Sequence, residues 1–179
     1  MNNPNINKAS PPAGMNRKRA VINSLGLLVA MLFFPVATAQ AAVYSFNVGE
    51  PPTTAMNGSG QTISVTGSGT FDTDLDTVAA RGSYSISNSA GKVIERGTWA
   101  SIEFGSFDSE GGPNPGQQGG VLEIWVSLRP NGGAPGPDQL MTVTCVFESG
   151  VFDEGDDSAT VGDFIIPTGG ITVFHLIKP

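Results

Sequence analysis

QTISVTGSGTF-DTDLD-TVAARGSYSIS-NSAGK-VIERGTWASIEF, residues Gln61–Phe104, is the stretch whose reading decides the fold. In its first segment Ile63, Val65 and Phe71, with Gly67 and Gly69, alternate with Thr62, Ser64, Thr66, Ser68 and Thr70. Successive side chains of a strand point to opposite faces, so this period of two predicts a half-buried strand. In the second segment Val78, Ala80, Gly82, Tyr84 and Ile86 alternate with Thr77, Ala79, Arg81, Ser83 and Ser85. The third puts Ile94, Ala100, Ile102 and Phe104 on one face and Glu95, Gly97, Trp99, Ser101 and Glu103 on the other. Asp, Asn and Gly fill the two short breaks, which read as turns, so the whole is a β-meander. Glycines at 67 and 69 within a strand pattern signal a bend, a bulge or the close approach of another backbone.

Working outward, the same pattern recurs. Val43–Val48 precedes the meander, and Val121–Arg129, Leu140–Glu148, Ser158–Ile165 and Gly170–Leu176 follow it. Between them lie glycine- and proline-rich runs at 50–60, 105–120 and 130–138, expected as loops, with 105–120 too rich in breakers for regular structure. Eight short strands separated by turns predict a single antiparallel all-β domain, an up-and-down barrel in preference to a sandwich.

The N-terminus carries a different signal. Arg17, Lys18 and Arg19 precede the apolar run LGLLVAMLFF, which Pro35 ends before the small residues VATAQAA. A basic cluster, a short apolar run and an A-x-A-like site predict a secretory signal peptide over residues 1–41, helical in its apolar part, with the all-β domain at 42–179. Met15 opens a tidier signal on its own and is a candidate true start. The apolar run is about half the roughly 20 residues a spanning helix needs, so no membrane association is expected after cleavage. The chain is therefore expected in the periplasm or outside the cell.

Export sharpens the charge balance. Lys8, Arg17, Lys18 and Arg19 precede residue 42 and all 16 acidic residues follow it, leaving five cations against 16 anions, a net −11. Such a surface disfavours nucleic acid as a partner. A single cysteine leaves no intramolecular disulfide in an exported chain, so the core must hold without staples. Cys145 alternates with Met141, Val143 and Phe147 on one apolar face, which reads as a buried small hydrophobe and not a nucleophile.

Two strands share the one pattern with chemical content. Glu95-x-Gly-x-Trp99-x-Ser101-x-Glu103 resembles Glu123-x-Trp125-x-Ser127-x-Arg129, and these are the only tryptophans in the chain. If the strands are neighbours, Trp99, Glu103, Glu123 and Trp125 form one face. Aromatic rings beside carboxylates suit a sugar ring or an organic cation, because the ring face attracts C–H groups and cations while the carboxylates accept hydrogen bonds. The same residues are also consistent with plain cross-strand packing.

The remaining motifs are weaker. Asp72, Asp74 and Asp76 alternate as at the start of a calcium loop, but Thr77 and Ser83 stand where that loop needs Gly and Glu. Asp153, Glu154, Asp156 and Asp157 form a second acidic cluster. Either turn is a candidate for weak calcium binding, with a solvated turn as the default. One His, His175, and one Cys exclude blue-copper, His-rich zinc, haem-attachment and iron–sulfur sites. No phosphate loop, dinucleotide fingerprint or nucleophile elbow occurs. The sequence thus points to an exported binding or structural β-domain without a cofactor, its partner a small molecule or a glycan. A cofactor-free barrel enzyme using carboxylates and a calcium-stabilised surface protein are the other two readings.

Overall fold

The computed structural model of the chain describes residues 42–114, 116–146 and 157–178. The expected signal segment 1–41, its helix included, and the acidic residues Asp153, Glu154 and Asp156 lie outside the described residues.

The described residues form nine strands and no helix: β1 (Val43–Met56), β2 (Thr62–Asp72), β3 (Thr77–Ser87), β4 (Val93–Asn114), β5 (Gln117–Pro130), β6 (Asp138–Cys145), β7 (Ser158–Val161), β8 (Ile166–Gly169) and β9 (Thr172–Lys178). All pair antiparallel in one sheet, in the order β4-β3-β2-β1-β9-β5-β6-β7, with β8 on β1. β4 also pairs with β5 along most of its length. The pairing path therefore leaves β4 through β3, β2, β1 and β9 and comes back to it at β5.

β2 and β3 of the meander are as their alternation predicts, but β4 is turned over: Ile94 and Ile102 of its expected apolar face are exposed, and Trp99 of the other face is buried. β2 and β3 pair without a register shift from Thr62↔Ser87 to Asp72↔Thr77. The DTDLD break is a self-capped turn: Asp72 Oδ1 accepts from the backbone N–H groups of Asp74 (2.9 Å) and Leu75 (3.0 Å), and Asp76 adopts φ 50°. Asp tolerates that left-handed conformation better than most residues, which is why it suits the position.

Three further expectations fail. The run 50–60 is not wholly a loop, because β1 continues to Met56 past a register shift between Val48 and Thr53. The run 105–120 is not an irregular loop, because β4 continues to Asn114 and β5 begins at Gln117. Register shifts between Ser101 and Glu103, Phe104 and Ser106, Ser109 and Gly111, and Gly111 and Asn114 absorb the breakers without ending the ladder. The strand sequence is also not purely up-and-down, since β9 inserts between β1 and β5.

One face of the sheet encloses the core. Phe71 of β2 is its hub, with ring centroids 4.8 to 6.2 Å from Tyr44, Phe46, Phe104, Phe107 and Phe174. Aromatic pairs at such distances add about 0.5–1.5 kcal/mol each beyond the area they bury. Leu122, Ile124 and Val126 of β5 and Met141 and Val143 of β6 complete the core and are fully buried. This is the inner face, and the opposite one is the outer face.

Candidate functional site

The four residues singled out by sequence lie on β4 and β5, and these strands are neighbours. They do not share a face. Trp99 stands opposite Leu128 on the inner side and is 2% exposed, whereas Trp125 stands opposite Glu103 on the outer side and is 42% exposed. The register shift between Ser101 and Glu103 is the cause. An extra residue on one strand reverses the alternation beyond it, so Trp99 and Glu103 point opposite ways despite their even spacing. Ile102, the extra residue, is 51% exposed, on the strand expected to bury it.

Trp99 is a structural side chain. Its ring lies over the facing glycines Gly67 and Gly82, and its Nε1–H donates to Thr66 O at 2.9 Å. A Cβ on Gly82 would overlap Thr66 O and the indole nitrogen, and one on Gly67 would overlap the indole ring. Of the two glycines that the sequence marks as a bend, a bulge or a close approach, Gly67 forms the floor of an indole slot with Gly82, whereas Gly69 lies against Ala80. Thr66 is the one residue of β2 without a partner on β1, where the register shifts between Val48 and Thr53. Ser101, also inner, receives the Ala80 N–H (2.9 Å) where β4 leaves β3. Glu95 lies inward too and accepts from Tyr84 Oη at 2.7 Å.

Trp125, Glu103 and Glu123 are brought together on the outer face. Glu103 is the direct cross-strand neighbour of Trp125, and Leu140 of β6 is its neighbour on the other side. Glu123 lies one outward step along β5, opposite Ser106, whose Oγ donates to Glu123 Oε2 at 3.2 Å. Directly opposed residues have Cβ atoms about 4.5–5.5 Å apart, so Glu103 stands within reach of anything resting on the Trp125 ring. The arrangement offers a half-exposed indole, two carboxylates at its edges and two apolar flanks, Ile102 and Leu140. Leu140 is half-buried.

The other candidates separate. Cys145 is buried on the inner side. Burial first, then the nearby Asp157 carboxylate, push its thiol from 9.0 up to about 11. His175 is exposed on the outer side, its Nδ1 3.3 Å from Gly116 O, so the two do not form a nucleophile and base pair. His175 edges a shallow cleft of about 440 Å³ with Asn47, Thr66, Ser68 and Val173. Among the described residues no three His, Cys, Asp or Glu side chains gather closely enough to hold a metal ion.

Asp157 also departs from its expected place. The acidic run 153–157 reads as a solvated turn, but Asp157 is buried and clamps two strand ends. Its Oδ1 accepts from Val146 N–H (3.1 Å) after β6, and its Oδ2 from Thr172 N–H (3.0 Å) at the start of β9. No signal in the acidic run distinguishes Asp157 from its neighbours.

Set against known proteins, the chain matches no family model, and no curated protein or solved structure is significantly similar to it.

Proposed function

We propose that the chain is an exported, non-catalytic binding module whose outer β4–β5 face takes a glycan on Trp125, with Glu103 and Glu123 as hydrogen-bond acceptors. The carrying observation is the half-exposed indole with a carboxylate directly opposite it on a rigid ladder. A ring held in a sheet loses little freedom on binding, and its face suits the C–H side of a sugar. In this reading the domain is a barrel, supported by a pairing path that returns from β5 to β4. Its interior is packed with the Phe71 ring cluster, which favours a ligand on the wall over one in a lumen. The signal pattern of residues 1–41 supports a periplasmic or extracellular location.

Calorimetry and tryptophan emission, titrated with neutral oligosaccharides and with a quaternary ammonium ion, test the reading. A sugar of the panel is expected to bind native chain and to lose its affinity in Trp125→Ala. Glu103→Gln weakens the ammonium ion more than the sugar, because only the cation gains from the negative charge. The absence of both heat and an emission change with every sugar in the panel would sink the proposal.

A further inference from the structure

The outer face next to the Trp125 pair, toward the Gly97–Pro130 end of the β4–β5 ladder, is built from different chemistry. One cross-strand row runs Thr66, Ser83, Thr98, Arg129 across β2, β3, β4 and β5. Arg81 lies in the adjoining row, opposite Ala100, and Arg96 in the row on the other side, opposite Ser85. All three arginines are exposed. They are three of only five Lys and Arg after residue 41, a region with 16 acidic residues, yet no Asp or Glu stands in these three rows on β2 to β5. None of the three guanidinium groups is paired with a carboxylate of the described residues. The hydroxyls between them are ordered, as Thr66 Oγ1 and Ser83 Oγ hydrogen-bond at 2.9 Å.

Unpaired guanidinium groups on a strongly acidic chain need a reason. The net field repels polyanions at a distance, so a bound anion must be held by local contacts. A guanidinium fork matches a carboxylate bidentately, and hydroxyls donate as well as accept, which suits a polyol. Arg96 and Arg129 are diagonal neighbours, with Cα atoms about 7–8 Å apart, close enough to share one anionic group. The rows hold no aromatic side chain on which bases would stack, and no apolar residue larger than Ala that would enter a membrane interface. We propose that this face binds a carboxylate-bearing polysaccharide, one uronate on Arg96 and Arg129, a second on Arg81, and sugar hydroxyls on Thr66, Ser83 and Thr98. The proposal stands independently of the Trp125 surface.

Calorimetric titration of the full chain with polygalacturonate tests it, with neutral dextran, single-stranded polythymidylate and anionic phosphatidylglycerol vesicles as rivals. Polygalacturonate is expected to bind and to weaken as salt rises. The triple variant Arg81→Gln, Arg96→Gln, Arg129→Gln loses about tenfold or more in affinity, the equivalent of one charge-assisted hydrogen bond. Arg129→Gln alone gives a measurable part of that loss and covers the case in which the triple variant melts early. Trp125→Ala binds polygalacturonate as native chain does, which separates this site from the one above. Controls removing charge elsewhere, Lys92→Gln with Lys178→Gln, and Arg17→Gln with Lys18→Gln and Arg19→Gln, keep native affinity. The proposal is overturned by no binding, by an equal loss in either control, or by polythymidylate or vesicles binding as tightly as polygalacturonate.

Discussion

Trp99 and Trp125 sit in nearly the same local sequence and in opposite surroundings. Each is followed at two residues by serine, and each has a glutamate within four residues on its strand. Yet Trp99 is sealed over Gly67 and Gly82 with its N–H bonded, while Trp125 lies half-exposed between Glu103 and Leu140. The difference is not in the residues but in one register shift between them. A sheet face is decided by parity counted along paired strands, and one extra residue inverts it. The shift makes one tryptophan scaffold and leaves the other half-exposed.

Removing the two rings is the most direct way to break that contrast. Trp99→Ala is expected to cost about 3–5 kcal/mol, since it deletes a large buried side chain above glycines that cannot fill the space. Trp125→Ala is expected to stay within about 0.5 kcal/mol, as surface changes usually do. Urea unfolding of both variants checks the gap. Emission sharpens it: Trp99→Ala leaves only the wetter, red-shifted Trp125, and acrylamide quenches that variant more than its counterpart. Equal costs would mean that the two rings are not divided between the faces.

The glycines offer the next largest effect. Gly82→Ala is expected to cost about 1–3 kcal/mol, because a methyl there overlaps the Thr66 carbonyl and the Trp99 indole. Gly58→Ala meets open space and should change stability by no more than about 0.5 kcal/mol. Pairing Gly82→Ala with Trp99→Ala tests the mechanism, since the penalty shrinks once the ring is gone, a coupling that a double-mutant cycle reads directly.

Much of this was legible in the sequence, and several of the failures trace to register shifts. The period of two through 62–72 and 77–87 gave the meander and its turns, because β2 and β3 pair without a shift. Counting the same period through β4 put Trp99 with Glu103, since nothing in RGTWASIEF marks the extra residue. Phe104 and Phe107 both reach the core across an odd spacing, by a further shift between Phe104 and Ser106. That odd spacing, read beside Gly105, was the available clue that 105–114 continues a bulged strand. The insertion of β9 between β1 and β5 is a long-range pairing that no local pattern encodes. Of the candidate site, the three residues on the far side of the bulge came together as read, and the one before it did not. The arginine rows depend on cross-strand register and were invisible for the same reason.

Inside and outside should also differ in reactivity. Cys145, buried beside Asp157, keeps its proton well above neutral pH and is expected to resist iodoacetamide at pH 8 until urea unfolds the chain. The sign of its effect on stability follows. Between about pH 9 and 11 the unfolded thiol has released its proton and the folded one still holds it, so stability falls as pH rises through that window. Cys145→Ala should flatten the fall. Rapid labelling of native chain at pH 8 would contradict the buried placement.

The smallest effect expected belongs to the Tyr84–Glu95 bond at the edge of the inner face. Burial foremost, then the hydrogen bond and the charge of Glu95, raise the Tyr84 hydroxyl well above its ordinary 10.0. Tyr84→Phe removes the donor and leaves the Glu95 carboxylate without it, a loss of about 0.5–1.5 kcal/mol near neutral pH. Above pH 10 the gap between the two narrows. An unfolded tyrosine ionises there while the folded one stays protonated, so native stability falls with rising pH and the phenylalanine variant, which has no such proton, falls less. The two stability curves should therefore converge at alkaline pH. Parallel curves would mean that Tyr84 titrates alike in both states and that its bond to Glu95 holds no proton in place.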